Sequence, residues 1–305
     1  MLVSTEIDML RSAKDLENCA IRATDGLIGH VKDLYFDDQA WGIRYLIVET
    51  GAWLSSRKVL ISPIAIGQPD WTGKILPVSI TKEQVKNSPD IDTDKPVSRQ
   101  HERQYLDYYQ YPFYWAGEGL FAQGGYPGST LVGLSSRDFD ADYREARAQD
   151  DRAAAQAERR EDVDPHLRSA KAIMDYHIEA TDGGIGHVRD LLLDEGTWAI
   201  RYLIVNTSAW WFGHQVLIAP QWIQDMSWLN TTMSVKLTRQ AVKDSPAYDP
   251  ATPLSRDYEV NLYRHHRRSG YWADEVKTAN PESGAPGPSS QGAAQVRNEA
   301  TRPRT

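Results

Sequence analysis

The sequence predicts a mainly β protein: two tandem small β-barrels, each followed by a short helical and aromatic C-terminal extension. Three observations predict it. One block of sequence occurs twice at a single offset. The apolar segments inside each block are short and rich in strand formers. Helix signals are few and fall near the end of the block.

The repeat is visible residue by residue. Leu10-Arg11-Ser12-Ala13-Lys14 recurs as Leu167-Arg168-Ser169-Ala170-Lys171. The same offset carries Ala23-Thr24-Asp25-Gly26 onto Ala180-Thr181-Asp182-Gly183, and Ile28-Gly29-His30-Val31 onto Ile185-Gly186-His187-Val188. It also carries Ile43-Arg44-Tyr45-Leu46-Ile47-Val48 onto Ile200-Arg201-Tyr202-Leu203-Ile204-Val205, and without a gap it reaches Tyr114-Trp115 and Tyr271-Trp272. Chance does not hold one register over roughly a hundred residues.

Within one block the elements follow in order. Thr24-Asp25-Gly26 is turn chemistry, because Gly accepts positive φ and Asp bonds its own nearby backbone. Cys19 to Ala23 is then a strand, and Ile28 to Phe36 the next, closed by Asp37-Asp38. Trp41 to Glu49 is the strongest strand, with Ile, Tyr and Val as strand formers and apolar side chains on both faces. A small barrel covers only its inner face, so the extension or the other copy must cover the outer one. Lys58 to Ile61 and Ile75 to Ile80 complete the block. Thr81-Lys82-Glu83-Gln84 has capping-box spacing and starts a short helix that ends near Asn87, before Pro89. Ser98 is a good N-cap for a second helix from Arg99 to about Tyr109, followed by a dense aromatic run.

The expected layout is a leader over 1–9, a first barrel over 10–89, an aromatic extension over 90–115 and a charged, Gly- and Ala-rich linker over 116–166. A second barrel spans 167–246 and a second extension 247–272, and 273–305 is a tail of disordered composition. The 305 residues suit two domains. A net charge of -8 argues against a general nucleic-acid binder. One cysteine, Cys19, excludes an internal disulfide and suits a reducing compartment. The start has no basic region followed by an apolar core, and no apolar run approaches the roughly 20 residues that span a bilayer, so a cytoplasmic location is the expectation.

The block resembles the PRC-barrel domain. Thr24 to Asp33 looks like that family's opening hairpin, Arg44 to Val48 like its central strand, and Lys58-Val59-Leu60-Ile61-Ser62-Pro63 like the strand that ends in proline; the second copy repeats all three. The resemblance implies a small barrel used for contact, without catalysis or cofactor. In the family it forms the cytoplasmic domain of a photosynthetic reaction-centre H subunit and the C-terminal domain of a ribosome maturation factor. This chain departs from the first in lacking an N-terminal membrane helix, and from the second in having only a short leader ahead of residue 10. The resemblance therefore implies a bacterial protein-interaction or assembly module. The alternatives are a peripheral component of a photosynthetic or electron-transfer membrane complex, and an adaptor in ribosome or RNA processing. A protein partner is expected, together with pairing of the two barrels inside the chain or a homo-oligomer; no nucleic acid is expected.

No catalytic, cofactor or metal residues are expected. His30 and Asp33 lie an odd number of residues apart, so a regular strand sends them to opposite faces, and only a bulge would reunite them. Asp25, His30, Asp33 and Arg44, with their counterparts Asp182, His187, Asp190 and Arg201, are read as structural polar residues. Asp33 and Asp190 are the expected carboxylate partners of Arg44 and Arg201. The candidates for partner contact are Trp53, Leu54, Trp210, Trp211 and Phe212 after the central strands, and Tyr114, Trp115, Tyr271 and Trp272 in the extensions. The aromatics after the central strands either fold back over the barrel mouth or meet a partner.

Overall fold

The computed structural model describes residues 10–89, 97, 99–111, 167–207 and 214–273. The expected linker, leader and tail, and the candidates Tyr114, Trp115, Trp210, Trp211 and Phe212, lie outside the described residues. The fold is mainly β, in two sheets of matching topology.

In the first repeat, β1 (Leu10–Ser12) is followed by β2 (Ala20–Ala23), β3 (Gly26–Asp37), β4 (Ile43–Thr50), β5 (Lys58–Ile61) and β6 (Ile75–Pro77). The second repeat supplies β7 (Leu167–Ser169), β8 (His177–Ala180), β9 (Gly183–Asp194), β10 (Ile200–Thr207), β11 (Gln215–Ile218), β12 (Ile223–Ser227) and β13 (Thr232–Val235). The first sheet runs β5-β4-β3-β2-β6 and the second β11-β10-β9-β8-β13-β12. Each ladder is an open path among the described residues. β12 has no strand counterpart in the first repeat, where Ile66 and Asp70 make only isolated bridges to Val78 and Ile75. Pro69 and Pro77 lie in that stretch, and proline donates no ladder hydrogen bond.

Local chemistry explains the element ends. Gly26 and Gly183 adopt φ of 139° and 128°, as the turn after Asp25 and Asp182 requires. The Asp carboxylates of these turns accept from the first amides of two short helices: Lys82 N–H to Asp25 at 2.8 Å and Arg239 N–H to Asp182 at 2.7 Å. The helix Lys82–Asn87 carries the full capping box between Thr81 and Gln84. The helix Arg99–Tyr109 has the bounds the sequence predicts.

The short lead strands change sheets. β1 of the first repeat pairs with β9 of the second, Arg11 opposite Leu193. β7 of the second pairs with β3 of the first, Arg168 opposite Phe36. Between these crossovers the β3–β4 and β9–β10 turns meet. Gly42 bridges Ala199, flanked by Ile43 N–H to the Trp198 carbonyl at 2.9 Å and Ile200 N–H to the Trp41 carbonyl at 2.7 Å. Gly42 and Ala199 are equivalent positions of the repeat, so a local twofold relationship passes between them.

The central strand is buried from Ile43 to Val48. Tyr45 and Ile47 pack in one cluster with Tyr35, Leu60, Tyr105 and Leu106, to which β7 adds Leu167. The extension helix and the other repeat therefore both cover the outer face of β4. Burial on this scale contributes about 25 cal/mol per Å² of apolar surface. Residues Arg256–Ala273 belong to a separate compact unit: the helix Arg256–His265 is followed by Tyr271 and Trp272, and the Trp272 ring meets Tyr263 at 5.1 Å.

Candidate functional site

Four of the polar residues that both repeats keep, Asp33, Arg44, Asp190 and Arg201, lie at or beside the junction between the repeats. Two β-bulges set the geometry of each β3–β4 ladder. The first leaves Lys32 without an opposite residue, between Val31 opposite Val48 and Asp33 opposite Ile47. The second leaves Arg44 without an opposite residue in the ladder, between Tyr45 opposite Tyr35 and Ile43 opposite Phe36. Arg189 and Arg201 occupy the same two places in the second repeat. A bulge re-aims the side chains around it, and the consequences differ from the regular-strand expectation.

The first consequence concerns Arg44 and Arg201. Their partners are Asp37 and Asp194, at the ends of β3 and β9, and not Asp33 and Asp190 as the sequence suggests. The Arg44–Asp37 separation is 3.5 Å. Arg201 places Nε and Nη2 on one Asp194 oxygen, at 3.1 and 2.7 Å. Both pairs are buried. Asp37 and Asp194 use their other oxygens to hold the turn amides of Gln39 and Ala40, and of Gly196 and Thr197. The bulged arginines thus tie the strand to the turn that meets the other repeat.

The second consequence concerns Asp33 and Asp190. The bulge returns Asp33 to the side of β3 that carries His30, so the parity argument fails here. Even so, the Asp33 carboxylate is engaged elsewhere. It accepts from the Ser169 hydroxyl at 2.6 Å, the Leu34 amide at 2.8 Å and the Lys171 amide at 3.2 Å. Asp190 takes the Ser12 hydroxyl and the Leu191 amide in the same way. Burial pushes both carboxyls above the usual aspartate range, opposed by these hydrogen bonds. His30 is exposed and His187 half-buried.

Sequence reasoning did not single out the outer pair of contacts at this junction. Arg11 binds Glu195 at 2.6 Å and lies 4.3 Å over the Trp71 ring, whose indole N–H also donates to Glu195. Arg168 binds Asp38 at 2.8 Å and lies 4.1 Å over Trp228. The recurrence of Leu-Arg-Ser in both repeats was the available signal.

The described partner-contact candidates are held by their own units. Trp53 folds back: its indole N–H donates to the Ile28 carbonyl at 2.6 Å and the Lys82 ammonium sits 4.4 Å over its ring. Leu54 beside it is half-buried. The Tyr271 hydroxyl donates to Glu259 at 2.9 Å and accepts from Arg256 at 3.1 Å, while the Arg256 guanidinium lies 4.7 Å over Trp272. Cys19 is buried and its thiol is pushed up by burial. No group of three His, Cys, Asp or Glu comes together among the described residues. No described helix is long and apolar enough to cross a membrane.

Comparison with known proteins agrees with the arrangement of the first repeat. The PRC-barrel domain family matches residues 9–85. A protein of Deinococcus radiodurans, described as an uncharacterized protein, is 37% identical over 71 residues. The match covers 23% of this chain and 25% of that protein, so the chain spans about a quarter of the relative's length. Strand order, turn chemistry and family match agree: residues 9–85 of this chain are a PRC-barrel domain.

Proposed function

We propose that the chain is a tandem of two PRC-barrel-type units, over 10–89 and 167–246, acting without catalysis as a module that binds and holds another protein. The carrying observation is what the kept polar residues do. Asp33, Arg44, Asp190 and Arg201 are engaged in holding strands, turns and the two repeats together. The surface left for a partner includes large apolar side chains: Leu229 is 93% exposed, Leu27 48% and Tyr108 39%. The extension aromatics Tyr114, Trp115, Tyr271 and Trp272, and the loop aromatics Trp210, Trp211 and Phe212, are the further contact candidates.

The test is capture from the native cell of the full chain carrying a photo-crosslinking residue in place of Leu229. A single protein enriched over the uncrosslinked control supports the reading. An absence of any protein above background contradicts it. Fractionation of the captured complex separates a soluble assembly from a peripheral place on a photosynthetic or electron-transfer membrane complex, and ribosomal proteins in the capture would favour the adaptor in RNA processing.

A further inference from the structure

One difference between the two sheets lies at the start of β2 and β8. In the first repeat Ala20 stands opposite His30. In the second repeat His177 stands opposite His187. The imidazole rings meet with centroids 4.4 Å apart and planes inclined by 54°. The ladder bond beside this pair runs from Val188 N–H to the Tyr176 carbonyl, and His177 N–H turns to the Thr231 carbonyl on the other side. His177 and His187 thus face each other at a non-hydrogen-bonded position, the kind that brings opposite side chains closest. Asn206 of β10 stands opposite His187 on its other flank. His177 is exposed, and His187 and Asn206 are half-buried.

We propose that His177 and His187 form a chelate for a late first-row divalent ion of the copper(II), nickel(II) or zinc(II) class. Imidazole nitrogen suits these ions, and copper(II) binds most tightly in the usual order. Imidazole nitrogen sits about 2.0–2.1 Å from such an ion, so two nitrogens on one ion lie roughly 3 Å apart. Facing rings on neighbouring strands reach that spacing by rotation about their side-chain bonds, while the sheet holds both backbones fixed. The Asn206 amide oxygen and water complete the coordination. Neither strand needs to move, so binding carries little ordering cost. The first repeat has no such pair, because alanine fills the position equivalent to His177.

The experiment is titration of the untagged full chain with copper(II), followed by isothermal calorimetry and by electron paramagnetic resonance at one equivalent. H177A gives the second repeat the residue the first repeat already carries, so the variant suits the strand. The expected result is a copper site whose affinity falls at least tenfold in H177A and in H187A and is unchanged in H30A and in H265A/H266A, which removes the adjacent histidines at the end of the helix Arg256–His265. Its spectrum shows coupling to two nitrogens in the wild type and to one in H177A. Binding in H177A equal to the wild type, or a loss seen only in H265A/H266A, overturns the proposal.

Discussion

Ser169 of the second repeat donates its hydroxyl proton to Asp33 of the first at 2.6 Å, and Ser12 of the first donates to Asp190 of the second. Each serine also accepts a backbone amide just after its short strand, Ala172 N–H on Ser169 and Lys14 N–H on Ser12. The same two-residue device therefore fastens each lead strand to the opposite sheet.

Its titration is predictable. Burial raises the Asp33 and Asp190 carboxyls above the ordinary value of 3.8. The folded chain then holds more protons than the unfolded chain just above pH 3.8, so stability contributed by these groups falls as pH rises through the folded pKa. D33N/D190N removes this slope. Urea unfolding between pH 4 and 7 should show the variant gaining stability on the wild type as pH rises; a constant difference across that range contradicts the assignment.

The Arg201–Asp194 pair is buried, with side-chain exposures of 7% and 3%. Removing one partner strands a charge, which costs about 3–5 kcal/mol, whereas replacing both with uncharged groups of similar volume that keep an acceptor for the turn amides costs far less. R201A should therefore destabilise more than R201M/D194N, in which the introduced amide oxygen still accepts from the Gly196 and Thr197 amides. Equilibrium unfolding in urea checks the order, and an equal or reversed ranking contradicts it.

Gly29 and Gly186 pass directly over the neighbouring strand. A Cβ at either position would stand 2.0 Å from a carbonyl oxygen, of Glu49 or of Asn206. Backbone cannot yield as a side chain can, so G29A and G186A should each cost about 3 kcal/mol, the upper end of ordinary overpacking. Gly184 has open space around its position. G184A should leave the unfolding midpoint unchanged or raised.

Trp53 folds onto the barrel through one indole hydrogen bond and one cation–π contact. W53F keeps a ring under Lys82 but removes the short indole bond to the Ile28 carbonyl, which retains the longer one from Gly51 N–H at 3.4 Å, at a cost of about 1 kcal/mol. Unfolding of W53F at the wild-type midpoint would mean that the indole does not hold this turn.

Much of the fold was legible because it rests on local chemistry. The Asp-Gly turns, the Thr81–Gln84 capping box and the bounds of the helix Arg99–Tyr109 follow from residues adjacent in sequence. The pairing of Arg44 with Asp37 was not legible. It depends on two bulges in β3 and β4, and a bulge leaves no mark in an alternating apolar pattern. The exchange of β1 and β7 was equally hidden, since three residues carry no periodicity and their partners lie far along the chain. The facing histidines were missed for the same reason: His177 and His187 become neighbours only once the strand register is known.

The central claim is that the two repeats join about a point between Gly42 and Ala199. The flanking bonds from Ile43 to Trp198 and from Ile200 to Trp41 make this a non-hydrogen-bonded antiparallel pair, with Cα atoms about 4.5 Å apart, within disulfide reach. In a chain with Cys19→Ala, G42C/A199C should oxidise to a disulfide within one monomer, seen as a two-hydrogen mass loss and faster migration without reductant. Two free thiols after oxidation, or disulfides only between chains, would contradict the joined arrangement of the repeats.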